Sequence, residues 1–216
     1  MNPVIGASLT APYRHWPLIV AAAVGPVLLG TTVSRELLAP AILVSVLLQV
    51  VVYGRILAQV RQGGTSAAWA IVREHGIDYL VASVLVGAVA LVLSLGLSRL
   101  LPAQISDKVV VWIVQTVVAA VAIYVWPIVF LRRASIAAIP AGLTILARNL
   151  SGSWWIVGLV VTANVIRFAG RWVLVESGDG WSFAVLLFSG VAFIYLGAAS
   201  FAGALHALVG NSDREA

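Results

Sequence analysis

The stretch YLVASVLVGAVALVLSLGLS, residues 79–98, decides the fold class. It carries no charge, and a helix needs about 20 apolar residues to cross a hydrocarbon core roughly 30 Å thick. Runs of the same kind recur on both sides of it, with spans expected at about 16–34, 37–55, 79–98, 109–131, 153–174 and 182–209. The expectation is an all-α, polytopic helical bundle of about six transmembrane helices, forming a single transmembrane domain over residues 1–216. Only Arg35 and Glu36 separate the first two runs. The alternative is therefore a count of five, with that first pair fused into one broken or re-entrant helix.

Composition agrees with this reading. The chain is 62% hydrophobic and 10% charged, with a mean hydropathy of +1.06. A soluble domain is nearer half apolar and a quarter charged, so these residues cannot cover a water-facing surface. With no cysteine, disulfides, thiolate metal sites and cysteine nucleophiles are excluded. The high pI would suggest nucleic acid in a soluble protein. Here the twelve arginines and one lysine are spread between apolar runs, which is the distribution of membrane flanks. The expected partners are the lipid bilayer and other membrane subunits, with no nucleic acid. Residues 1–12 hold no basic residue and no small-x-small cleavage site follows the first run, so the first span is expected to stay in the mature protein.

Orientation follows from the loop charges. A cytoplasmic N-terminus gives that side Arg14, Arg55, Arg61, Arg73, Arg132, Arg133, Arg148 and Arg214, and leaves Arg35, Arg99, Lys108, Arg167 and Arg171 for the other. The excess favours both termini in the cytoplasm of a prokaryotic plasma (inner) membrane. Trp16, Trp112, Trp126, Trp154, Trp155, Trp172 and Trp181 fall near the expected helix ends, where amphipathic indoles settle.

A weak internal repeat organises the chain. LTAPYRHW (9–16) leads into the first span, AWAIVREH (68–75) into the third and LTILARNL (143–150) into the fifth. Each holds an arginine four residues after a Thr or Trp, at the end of a short amphipathic stretch. In the third copy Ile136, Ile139, Leu143 and Leu146 share one helical face, as an interfacial helix requires. Interfacial elbows are expected at about 3–14, 66–76 and 134–149, each followed by a transmembrane hairpin. Arg14, Arg73 and Arg148 would be structural, fixing elbow depth against anionic headgroups. This elbow-then-hairpin pattern, over Leu9 to about Leu208, resembles the prokaryotic group that includes the membrane domain of glycerophosphodiester phosphodiesterases. The resemblance implies a fold and no catalytic residues, because the soluble phosphodiesterase domain has no counterpart in the sequence.

No catalytic constellation is present, so the chain is expected not to be an enzyme. The acidic residues lie in loops or at helix ends, and His15, His75 and His206 lack metal-ligand spacing. No GxSxG, Walker A or GxGxxG occurs, and neither metal nor other cofactor is implied. His206 reads as an interfacial histidine bonded to a carbonyl or headgroup. The main anomaly is Asn164, Arg167 and Arg171, spaced i, i+3, i+7 on one face of the fifth span. An arginine at membrane depth costs roughly 2.5–3.5 kcal/mol, so this face should meet protein, water or an anion, such as a lipid headgroup; Glu36 is the preferred acidic partner for Arg167. Ser45, Gln49 and Tyr53 line one face of the second span, and Gln115 with Thr116 lies on the fourth. These polar groups read either as interhelical hydrogen-bonding groups or as a polar pathway. Ser83, Gly87, Ala90, Ser94 and Ser98 on the third span, and Ala199 and Gly203 on the sixth, read as close-packing faces. Pro26, Pro40 and Pro127 are candidate kinks. The expected function is a non-catalytic membrane scaffold or partner subunit. The alternative is a small transporter or channel with a path through Gln49 and Gln115 and an outward Arg167/Arg171 patch.

Overall fold

The computed structural model describes residues 3–28, 35–61, 67–102, 106–177 and 181–212, with side chains for 4–24, 40–61, 67–102, 106–171 and 183–210. The described residues are all-α, without a strand. Helix α1 (Pro3–Thr10) leads through a 3₁₀ turn (Pro12–His15) into α2 (Trp16–Leu28). Then come α3 (Arg35–Val60), α4 (Ala68–Leu100), α5 (Asp107–Val121), α6 (Val125–Arg132), α7 (Ser135–Arg148), α8 (Leu150–Ser177) and α9 (Trp181–Ser212).

Four segments are long and apolar enough to cross a membrane: Pro40–Val60, Ala68–Leu100, Leu150–Arg171 and Phe183–Gly210. The pair α5 and α6, bent by 44°, makes a fifth if it is one span. The described part of α2 has 13 residues, about 20 Å at 1.5 Å per residue. Residues 29–34, expected to complete that span, lie outside the described residues.

Two sequence expectations differ from the observed elements. Residues 66–76 do not form a separate elbow: from Ala68 they are the first turns of α4, which runs unbroken to Leu100. The polar run from Arg73 to Asp78 contains no proline, and a single glycine lowers helix stability without ending a helix. The fourth span, expected as one helix over 109–131, is broken at Ala122–Tyr124. Pro127 accounts for the break, since it has no N–H to give to the Ile123 carbonyl and its ring crowds that group. The other elbow stretches are helical. α1 with the 3₁₀ turn covers 3–15, and α7 covers 135–148.

Sequential helices pack as hairpins, α2 on α3, α4 on α5 and α8 on α9, and α9 also packs against α1, α2 and α3. Small residues make α9 central. Ala198, Ala202 and Ala204 are fully buried, and a Cβ on Gly203 would strike the Trp155 indole of α8. Where α7 crosses the α6 start, a Cβ on Gly142 would lie 3.0 Å from the Val125 backbone nitrogen, a close approach that glycine eases. The core collects Ile19 and Ala22 of α2, Val50, Val52 and Ile56 of α3, and Tyr124, Val129 and Phe130 around α6.

α4 is different. Only 17% of its most apolar window is buried, against 39% for α3 and α9. Of its small-residue stripe, Ser94 is buried and bonds the Ala90 carbonyl at 2.7 Å, and Ser83, Ala90 and Ser98 are half-buried, so most of the stripe faces inward. Val84, Gly87, Val89, Leu91, Val92 and Leu95 are exposed.

Candidate functional site

Two polar residues of α3, Ser45 and Gln49, find partners inside the bundle. Ser45 Oγ donates to the Ala22 carbonyl of α2 at 2.5 Å. Gln49 Oε1 accepts from Tyr79 OH of α4 at 3.1 Å. Tyr53 stacks on Phe201 with ring centroids 4.4 Å apart and 6° between planes, and meets Tyr79 and Phe130 edge-on at 5.8 and 6.0 Å. His75 also lies against Phe130, 4.7 Å between centroids. Rings from α3, α4, α6 and α9 thus pack together around Tyr53 and Phe130. Gln115 is not part of this group. It is exposed on α5, while its neighbour Thr116 is buried and bonds the Trp112 carbonyl at 2.8 Å.

The arginine face of α8 is split by its neighbours. Asn164 is buried, donates Nδ2 to the Val160 carbonyl at 2.9 Å, and its own carbonyl accepts Trp112 Nε1 from α5 at 3.1 Å. Arg167 turns towards α9, where its guanidinium carbon sits 4.8 Å from the Phe193 ring centroid. Arg171 is exposed one turn further on. The two arginines line a small, open cavity with Leu186, Ser189, Gly190 and Phe193. Close approach of the helices shapes its base, since a Cβ on Gly170 would lie 2.5 Å from Ser189 Oγ. Among the described residues no carboxylate is within ion-pair distance of either guanidinium. The side chain of Glu36, the expected partner, lies outside the described residues.

Arg14, Arg73 and Arg148 are all exposed. Near the first of them, His15 is half-buried beside Arg55, and burial, then the Arg55 and Arg14 charges, hold its pKa below the usual histidine value. The Arg133 guanidinium, which follows α6, pairs with the Glu74 carboxylate in the first turns of α4. His206 is half-buried. No group of three or more His, Cys, Asp or Glu that could hold a metal occurs among the described residues.

The sequence reading did not find Phe193 or Ser189 as partners of the arginine face, nor the ring cluster around Tyr53. Two further ties also escaped it: Tyr124 OH with Ser153 Oγ at 2.7 Å, and Tyr195 OH donating to the Leu9 carbonyl at 2.6 Å. An aromatic hydroxyl in an apolar run signals a need for a partner, but linear sequence does not say which helix supplies it. No protein family, curated protein or solved structure matches this chain.

Proposed function

We propose that this chain is a six-span, non-catalytic integral membrane protein that acts as a scaffold or partner subunit within the bilayer, both termini cytoplasmic. The observation that carries the scaffold role is α4, a highly apolar helix whose outward half is the least covered by the rest of the bundle. Its occupant would be an apolar transmembrane helix of another subunit, seated at Gly87, where a Cβ meets nothing within 4 Å. Without a hydrophobic driving force in lipid, helices associate by close packing at small residues.

Helix lengths support a sixth crossing. Glu74 and Arg133 pair, so the end of α6 returns to the first turns of α4, and Glu74 to Leu100 is as many residues as Asp107 to Arg133. That return supports reading the bent α5–α6 pair as one span. With α2 as the first crossing, the count is six. The order of α1 before the first hairpin and α7 before the third also supports likeness to the membrane domain of glycerophosphodiester phosphodiesterases at the level of plan alone.

The test uses a photo-crosslinker at Leu91, in membranes of cells making the protein. A discrete adduct of one mass is expected, lost in Gly87→Leu. Gly87 is exposed and a Cβ there has nothing within 4 Å, so the melting behaviour of that variant should match the parent. Lipid adducts alone, unchanged by Gly87→Leu, would overturn the scaffold reading.

A further inference from the structure

We infer that the cavity between α8 and α9 binds a phosphate group, with Arg167 and Arg171 as its donors and an anionic phospholipid as the favoured carrier. The depth is suitable. Arg167 and Arg171 lie 17 and 21 residues beyond Leu150, about 26 and 32 Å along the helix. A roughly 30 Å core therefore puts Arg171 at the level of the headgroups with Arg167 one turn beneath it.

The geometry leaves donors available. The Arg167 guanidinium carbon lies over the Phe193 ring, 4.8 Å from its centroid. A cation–π contact of this kind is made to the charge of the group, and leaves N–H donors of the guanidinium for an anion. Forked donation to phosphate oxygens is the strong form of this contact. Phe193 and Leu186 supply an apolar wall against which an acyl chain can lie. Ser189 Oγ donates to the Leu186 carbonyl at 3.0 Å, leaving its lone pairs and no proton towards the cavity, so the anion's donors are the two arginines. Among the described residues the cavity lining contains no carboxylate to receive a headgroup ammonium. An anionic phosphodiester such as phosphatidylglycerol is therefore favoured over a zwitterionic one. This site is on helices other than α4, so it and the scaffold reading can fail separately.

The experiment measures the thermal midpoint of the full chain in neutral detergent, titrated with short-chain phosphatidylglycerol, short-chain phosphatidylcholine or inorganic phosphate. Phosphatidylglycerol should raise the midpoint saturably in the parent and in Arg99→Gln, an arginine at the far end of α4. Arg167→Gln and Arg171→Gln should each need about tenfold more lipid for the same shift, the loss of one charge-assisted contact. Arg167→Lys keeps the charge without the fork and should fall between. A shift with inorganic phosphate as large as with the lipid would support the phosphate site and identify the free ion as its source. An equal shift from phosphatidylcholine, or an unchanged phosphatidylglycerol titration in Arg171→Gln, would overturn the assignment. Arg171 is exposed, so that variant remains decisive even if Arg167→Gln fails to fold.

Discussion

Gly203 has the Trp155 indole where its own Cβ would stand, so the α8–α9 hairpin depends on the absence of one methyl group. A rigid ring pressed between two helices cannot give way, and overpacking of this kind costs about 1–3 kcal/mol. Gly203→Ala should therefore lower the thermal midpoint in detergent, and the double variant with Trp155→Phe should recover most of it. Recovery absent from the double variant would mean the strain lies elsewhere. Arg133 presents the opposite balance. It is the one non-glycine residue among those described with positive φ, 51° with ψ 44°, where it ends α6. That conformation costs an L-residue about 1–2 kcal/mol, while an exposed ion pair such as that with Glu74 contributes about 0–1 kcal/mol. Arg133→Gly should leave stability unchanged or raised, whereas Arg133→Val should lower it; equal losses in both would show the ion pair to be the larger effect. His15 gives stability a pH dependence with a definite sign. Its folded-state pKa lies below the unfolded value of about 6.5, so on acidification the unfolded chain takes up the proton first. Stability is then unaffected above that value and falls as pH drops through the window beneath it. Thermal midpoints from pH 8 to 5 should decline less in His15→Gln than in the parent, and parallel curves would remove His15 as a cause.

Long apolar runs are legible because membrane crossing is decided by length and composition within one segment, and each expected span after the first overlaps a helix long enough, alone or as the bent α5–α6 pair, to cross. Facing is a different matter. In a helix apolar on every side the period that marks a buried face is missing, so Gln49 and Gln115 read alike although one accepts a bond from Tyr79 and the other points outward. Pro127 was legible as a kink because its effect is local, while the fusion of the second elbow into α4 was not, since a polar run without a breaker continues a helix when neighbours support it. The arginine face was visible from its i, i+3, i+7 spacing. Its partner Phe193 was not, because nothing in the chain encodes which residue of α9 lies opposite. These placements make the interior testable through Gln49. Tyr79→Phe removes its donor and should cost about 0.6 to 1.7 kcal/mol, the span of interhelical hydrogen bonds in membranes. On the scaffold reading, a cysteine replacing Gln49 beside the rings around Tyr53, in a chain with none of its own, should resist polar thiol reagents from both sides of the membrane. Rapid labelling there would favour the transporter alternative.

For the whole molecule, the parity of crossings decides whether the termini share a side. α3, α4, α8 and α9 are each long enough to cross, so the result turns on α2 and on the bent α5–α6 pair. If both cross, the count is even and the termini share a side; if α2 and α3 make one broken span, the count is five and they do not. Three features favour the even count. The Glu74–Arg133 pair joins the start of α4 to the end of α6. The charge of Arg55 near the end of α3 acts on His15, at the start of α2, as expected when α2 and α3 are two antiparallel passes returning to one face. Arg14, Arg55, Arg61, Arg73, Arg132, Arg133 and Arg148 then all fall on that face, the arrangement the positive-inside preference selects. Single cysteines at Ser106, Gly178 and Ala216, labelled in intact cells with an impermeant thiol reagent, separate the cases. Ser106 and Gly178 should label from outside, and Ala216 only after the membrane is opened. Labelling of Ala216 in intact cells, with Ser106 still outside, would remove the six-span topology and with it the equivalence of the three hairpins.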